Sequence, residues 1–259
     1  PEAGQLNYLY EPKSNRPGQD GQIENFFHAD SPNYLGDLAT VERVISGHSY
    51  FTTSPTSRLI DTRQALSKKA QAAHVNFWQS EYCILGDNAG EITGNGVDLG
   101  MKTAIYVAKV IHSDLHDANA TSWSWWLAVS ANDYKDGLIY TFNGSNKGEN
   151  DANKFDADLH DSKTLWALGN YARFIRPGMK RIEVSIQQPD CLITGFKSQE
   201  STVFVLINSG NAFELSMGDK KNIKTYSTTA TQNLGFQLVQ HGTVQIPESS
   251  ITTIVFDSK

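Results

Sequence analysis

Through roughly its first two thirds this chain alternates short apolar runs with amphipathic stretches, and after Gly178 the amphipathic stretches stop. That change of pattern limits the fold more than any single motif does. Arg58 to Val75 carries Leu59, Ala65, Leu66, Ala70 and Ala73 at helical spacing, and Asp98 to Leu115 carries Met101, Ala104, Ile105, Ala108 and Ile111. Leu165 to Ile175 is a third such stretch, stopped by Arg176-Pro177-Gly178. Gly36 to Ser46 reads as a shorter helix ended by Gly47, with Leu38, Val41, Val44 and Ile45 on one side. Strand-like runs lie at His48 to Phe51, Asn76 to Glu81 and Thr121 to Val129, with a strand end at Pro1-Glu2-Ala3-Gly4. Parallel strands need long crossovers, usually helical, so this alternation implies βα units on a parallel sheet. Three strands and a stub are too few to close an eight-stranded barrel, so the segment reads as part of one.

Glu11 to Pro32 is crowded with Pro and Gly and reads as loop, as does the polar stretch Asn143 to Lys154. Tyr134 to Tyr140 reads as a hairpin about Asp136-Gly137. Beyond Gly178 eight short strands are expected: Arg181 to Ile186, Leu192 to Lys197, Thr202 to Asn208, Phe213 to Met217, Lys221 to Ser227, Phe236 to Gln240, Thr243 to Ile246 and Ile251 to Asp257. Gly218-Asp219 and His241-Gly242 are among the turn signals between them. Strands without helices imply an antiparallel β-sandwich over residues 178–259, after an α/β domain over residues 1–177.

The net charge of −6, with no basic stripe, argues against nucleic acid as a partner. No apolar run approaches the ~18 residues of a membrane span. Cys83 and Cys191 lie far apart with no Cys/His cluster around them, so they read as buried free thiols and no metal is implied. The chain opens at Pro1 without an initiator Met or signal pattern, which reads as a trimmed polypeptide. Its Asn, Ser, Thr, Tyr and Trp content suits a secreted, periplasmic or cell-surface protein acting on carbohydrate.

The segment Asn76-Phe77-Trp78-Gln79-Ser80-Glu81-Tyr82 ends a strand on a carboxylate between aromatic residues. C-terminal strand ends line the mouth of a parallel barrel. A Glu there, walled by Trp78 and Tyr82, has the surroundings of a glycosidase nucleophile; the alternative is a surface Glu at a strand end. Two other strand ends carry suggestive side chains, His48-Ser49-Tyr50 before it and Trp123-Ser124-Trp125-Trp126 after it. Glu2 ends the first strand, either as a contact for sugar hydroxyls or as a solvated terminus. His48 taken alone would be a core histidine, and Trp123 and Trp126 fit a core as well. The other histidines, His112 among them, lack ligand spacing and read as surface, and Asp114 to Asp117 reads as a helix-end loop.

These segments, with Trp125-Trp126-Leu127-Ala128-Val129 and Ala167 to Gly178, resemble family 30 of the glycoside hydrolases. The resemblance runs from the family's fifth barrel strand to its end. It implies the C-terminal half of a (β/α)8 TIM barrel, strands five to eight, followed by the sandwich. It implies a retaining β-glycosidase acting on β-linked poly- or oligosaccharide, with Glu81 as nucleophile. His48, Tyr50 and Trp125 would contact the nucleophile or the sugar, and no cofactor is needed. The family's acid/base lies in an Asn-Glu-Pro-like motif that this sequence lacks; Tyr10-Glu11-Pro12 is a superficial match. The acid/base is therefore expected on an N-terminal half of the same enzyme, and this chain alone is expected to be inactive. A different class stays open: a carbohydrate-binding module using the sandwich, which holds Phe213, Tyr226 and Phe236 but no Trp. Another two-carboxylate barrel glycosidase is a third reading.

Overall fold

A computed structural model gives the chain over residues 2–12, 18–148 and 156–258. Pro1 of the expected strand end, residues 13–17 of the first expected loop and residues 149–154 of the second lie outside the described residues. The chain divides into two compact units. One takes Pro1–Gly96, Ser113–Ala128 and Tyr134–Gly137, the other Val97–His112, Val129–Asp133 and Leu138–Lys259.

The first unit is built on a parallel sheet. Strand β1 (Glu2–Ala3) leads into a 3-10 helix (Leu6–Leu9), helix α1 (Gln22–Phe27), strand β2 (Val44–His48), helix α2 (Thr56–Ala72) and strand β3 (Asn76–Glu81). A small antiparallel ribbon follows, β4 (Asp87–Asn88) with β5 (Ile92–Thr93). Helix α3 (Met101–His116), whose residues up to His112 belong to the other unit, then precedes β6 (Ala120–Trp123). The sheet order is β1-β2-β3-β6, and every neighbouring pair is parallel. In-register partners share a face, so Ala3, Ile45 and Phe77 fall on one side and Glu2, Ser46 and Trp78 on the other. The first set is buried with Leu6, Leu9, Ile23, Phe27, Leu66 and Ala70 in one apolar cluster. That cluster holds the sheet against its helices and leaves the Glu2 face for other work.

Three local expectations change here. Residues 36–43 form successive turns, with Leu38 N–H on the Leu35 carbonyl and Val41 N–H on the Leu38 carbonyl. The apolar spacing suited a helix, but Val44 and Ile45 are β-branched and begin a strand. The strand carrying His48 ends at that residue, because Phe51 adopts a φ of 57° that extended backbone cannot continue through. The first expected loop contains α1, whose Ile23 and Phe27 one turn apart are buried in the cluster.

In the second unit β7 (Val129–Ser130), β8 (Ile139–Phe142) and β9 (Asp158–Asp161) form a three-stranded sheet. Ile139 pairs with Val129 in parallel and with Asp161 antiparallel, so Asp136-Gly137 closes no hairpin. The single strand expected over Thr121 to Val129 is two strands, β6 and β7, separated by residues 124–128. Helix α4 (Lys163–Ala172) starts where the Ser162 hydroxyl accepts from Leu165 N–H at 3.3 Å.

The strands β10 (Lys180–Ile182), β11 (Cys191–Lys197), β12 (Ser201–Asn208), β13 (Phe213–Thr228), β14 (Gly235–Ile246) and β15 (Ser250–Asp257) form one antiparallel sheet in the order β10-β11-β12-β15-β13-β14. Eight expected strands became six because Gly218 (φ 60°) and Gly242 (φ 72°) bend the long strands without ending them. The register of β13 on β14 shifts between Ser216 and Lys221 at that bend. Only Lys224–Thr228 of β13 pairs with β15; its first half leaves that neighbour. Phe213, Leu215 and Met217 from the freed half pack on Leu206, Ile223, Val244, Ile246 and Ile254. The sheet thereby folds over a core of its own. Ile254→Ala, at a fully buried central position, is expected to lower unfolding free energy by about 2–5 kcal/mol. Leu159→Ala, at a 72% exposed position, should stay within about 0.5 kcal/mol. Urea unfolding midpoints check both.

Candidate active site

The site lies in the first unit, where β2 and β3 lose register by one residue. Gly47 pairs with Gln79, but His48 pairs with Glu81, so Ser80 is an extra residue in β3. Strict alternation would place Glu81 with Phe77 and Gln79, on the face that packs on the helices. The bulge turns it to the face of His48, Trp78 and Glu2. One additional residue thus carries the carboxylate across the sheet.

On that face the side chains meet. Tyr50 Oη donates to Glu81 Oε1 at 2.8 Å. His48 Nδ1 stands 3.7 Å from the same oxygen, and its Nε2 stands 3.1 Å from Glu2 Oε1. Ser80 Oγ donates to Glu2 Oε1 at 2.5 Å. The Ser80 hydroxyl above all, with His48 beside it, holds the Glu2 carboxyl below its ordinary value. Burial drives the Tyr50 phenol far up, and the nearby Cys83 and Glu81 push the same way, so Tyr50 stays a hydrogen-bond donor. The Cys83 thiol, 3.8 Å from Tyr50 Oη, is pushed up to about 12 by burial and stays protonated. Both cysteines are buried and free.

An aromatic wall stands beside this cluster. The rings of Trp123 and Trp125 stack with centroids 6.2 Å apart and planes 21° apart. Tyr82 meets both edge-on, at 6.4 and 5.9 Å, and touches the Tyr50 ring at 5.9 Å. Trp125 Nε1 donates to the Asp136 carbonyl at 2.9 Å, and the Tyr82 carbonyl takes Trp126 N–H at 2.9 Å. Of the residues expected to meet substrate, Glu2, His48, Tyr50, Glu81 and Trp125 are gathered here. Tyr82 is 1% exposed and supports the wall from behind rather than presenting a surface. Trp78 is 46% exposed on the Glu2 face, three residues before Glu81 and so ~10 Å back along the strand. Trp126, a core residue by expectation, is 48% exposed. Glu11 accepts from Asn7 Nδ2 at 2.9 Å. Among the described residues no group of three or more His, Cys, Asp and Glu is gathered as a metal site.

Behind the wall lies a buried polar knot. Asp114 of α3 is fully buried and accepts from Arg63 Nε at 2.7 Å, from Ser49 Oγ at 3.0 Å and from Trp123 Nε1 at 2.9 Å. It is part of a helix, not of the helix-end loop expected there. Arg63 of α2 also donates through Nη1 to the carbonyls of Thr52 (2.9 Å) and Leu59 (3.1 Å). Each member was visible as a charge inside an apolar stripe: Arg63 with Leu59, Leu66 and Ala70, and Asp114 with Val107 and Ile111. His112, expected at the surface, is buried in the second unit with Nδ1 2.6 Å from Thr194 Oγ1.

Comparison with known proteins points one way. The model of O-glycosyl hydrolase family 30 matches residues 1–140. A glucuronoxylanase XynC of Bacillus subtilis is 25% identical over 165 residues, covering 59% of this chain and 34% of that protein. A conserved exported protein from Bacteroides fragilis superposes with a TM-score of 0.83 at 30% identity, over 97% of this chain and 54% of that one. The family 30 subfamily 8 xylanase Xyn30A from Clostridium acetobutylicum shares the fold at 19% identity, with a TM-score of 0.63 over the whole of this chain and 55% of its own. The chain thus spans about a third of the length of that curated relative and about half of these solved structures.

The Glu2 geometry gives a titration test. A carboxyl held low contributes stability above the ordinary value of 4.5 and loses that contribution as pH falls through its folded value. Ser80→Ala is expected to move the Glu2 titration upward toward 4.5, read by carbon-13 NMR of labelled Glu. A half-exposed side chain makes the accompanying stability change small.

Proposed function

This chain belongs to O-glycosyl hydrolase family 30, and we propose that it forms the C-terminal half of a retaining β-glycosidase acting on β-linked, xylan-like polysaccharide. In this reading residues 1–177 supply strands five to eight of a (β/α)8 TIM barrel and residues 178–259 an antiparallel β-sandwich. An N-terminal half of the same enzyme supplies the remaining strands and the acid/base. The four-stranded parallel sheet supports this, since among the described residues β1 and β6 are its edges, which further barrel strands would pair. A xylanase among the relatives and an exported protein among the similar structures support the substrate class and a secreted, periplasmic or cell-surface location. No helix among the described residues is long and apolar enough to cross a membrane.

The observation that carries the reading is the grip on Glu81. Tyr50 and His48 both approach Oε1, which leaves Oε2 as the oxygen that attacks the anomeric carbon. The Tyr50 hydrogen bond fixes the plane of the carboxylate. Attack forms a glycosyl-enzyme ester at Glu81, with the leaving oxygen protonated by the carboxylic acid of the other half. That group then takes a proton from water, which cleaves the ester with net retention. Such a mechanism needs two carboxyl groups about 5–5.5 Å apart, so this chain alone should not turn over substrate. Trp125 supplies a flat apolar surface for a sugar ring. The binding-module reading draws on one observation in the second unit: Phe236, 60% exposed, lies 5.3 Å from Tyr226, which lies 4.5 Å from Phe174.

Sugar release from β-linked aryl glycosides and xylans by the complete enzyme tests the reading. Glu81→Gln should lower kcat by about three orders of magnitude or more, equivalent to about 4 kcal/mol. Tyr50→Phe should cost about ten- to a hundredfold, the worth of a hydrogen bond to a charged group. Full activity in Glu81→Gln would overturn the assignment and favour the binding module.

A further inference from the structure

We propose that Asp114 is a positioning residue for this site, fixing the Glu81 side and the tryptophan wall from one buried point. The proposal rests on the reading of Glu81 as the reacting carboxylate. Asp114 touches no surface from which substrate could reach it, so it acts only through what it holds. Ser49 lies between His48 and Tyr50, the two residues that approach Glu81. Its hydroxyl donates to both Asp114 oxygens, at 3.1 and 3.0 Å, and its N–H donates to the Glu81 carbonyl at 3.4 Å. The Ser49 carbonyl accepts from Thr52 Oγ1 at 3.0 Å, and the Thr52 carbonyl is held by Arg63. The whole turn after β2 is therefore tied to the Asp114–Arg63 pair. On the other side Trp123 Nε1 ends on Asp114 Oδ2, and the Trp123 ring stacks on Trp125. Two independent parts of the site thus hang from one carboxylate.

Burial pushes the Asp114 carboxyl above its ordinary value, and Arg63, Trp123 and Ser49 each pull it back toward the ionised form. A buried carboxylate is tolerated only when its lone pairs are used, and here Arg63, Ser49 and Trp123 all donate to it. Such charge-assisted bonds are shorter and stiffer than neutral ones. A scaffold that merely needed to fill this interior could use apolar residues of similar volume at lower cost. The two donors that reach into the site are what an apolar substitute could not hold.

The test uses steady-state kinetics of the complete enzyme on a β-linked xylan oligosaccharide. Ser49→Ala cuts only the tie to the Glu81 side, so kcat should fall about tenfold with KM within twofold of the parent. Trp123→Phe keeps a ring but loses the N–H, so KM should rise several-fold with kcat within twofold. Asp114→Asn should show both effects, and adding Ser49→Ala to it should lower kcat no further. A purely structural role would reduce folded protein without this split. Should Asp114→Asn fail to fold, the Ser49 and Trp123 variants decide by the same split. Loss of activity in Glu81→Gln, together with kcat and KM within twofold of the parent in both milder variants, would overturn the positioning role alone. Unchanged turnover in Glu81→Gln would overturn the reading of the site and this proposal with it.

Discussion

Everything at this site depends on parallel strands ending side by side. β1, β2, β3 and β6 run the same way, so residues distant in sequence arrive at one edge of the sheet without any loop having to reach for them. The crossovers that parallel pairing demands are α2 and α3, and both carry more than an apolar face. Each brings one charged residue into the interior, Arg63 and Asp114, and the pair they form lies directly behind the strand ends. The topology that aligns the strands also delivers the partners that brace them.

The cost of that arrangement is visible in what each region is made of. The helix-facing side of the sheet is almost wholly apolar, from Ala3 through Ile45 to Phe77. The opposite side carries Glu2, His48 and Glu81, and Trp78 on that side is 46% exposed. Carboxylates and an imidazole packed this closely are held by hydrogen bonds and neighbouring charge rather than by burial alone. The second unit meets a different problem, the edges of an antiparallel sheet. It answers with two long bent strands, so that one continuous sheet supplies both sides of the core around Leu206 and Ile254.

Long periodic segments were legible in the sequence: α2, α3, α4 and β3 stand within a few residues of where spacing puts them. Short apolar runs were not. Leu38 to Ile45 fits helix and strand equally by periodicity, and the β-branched pair Val44-Ile45 decided it. Glycines in the second unit looked like turns because sequence does not reveal that a strand continues past a positive φ with a bulge. At the site, Glu81, His48 and Tyr50 were singled out by their place at successive strand ends, and Trp125 by the family resemblance. What could not be read was depth. Tyr82 is sealed and Trp78 open, the reverse of a simple aromatic wall, because the extra residue at Ser80 reverses the alternation between them. The Arg63–Asp114 pair was readable in principle, since a charge in an apolar stripe demands a partner, but nothing in the spacing says which charge answers which.

The bulge at Ser80 has a consequence for how the protein can change. A strand is a binary device: each residue inserted or removed exchanges its two faces from that point on. Between Gln79 and Glu81 the chain holds one residue, and the face that Glu81 occupies is a matter of parity before it is a matter of chemistry. Replacing Ser80 by another side chain leaves the parity intact, whereas deleting it would swing an unaltered glutamate into the apolar packing beneath the sheet. Insertions and deletions in these few positions therefore erase the site without touching a functional residue. A relative in which an alignment gap falls between Gln79 and Glu81 has lost the geometry even where it keeps the glutamate.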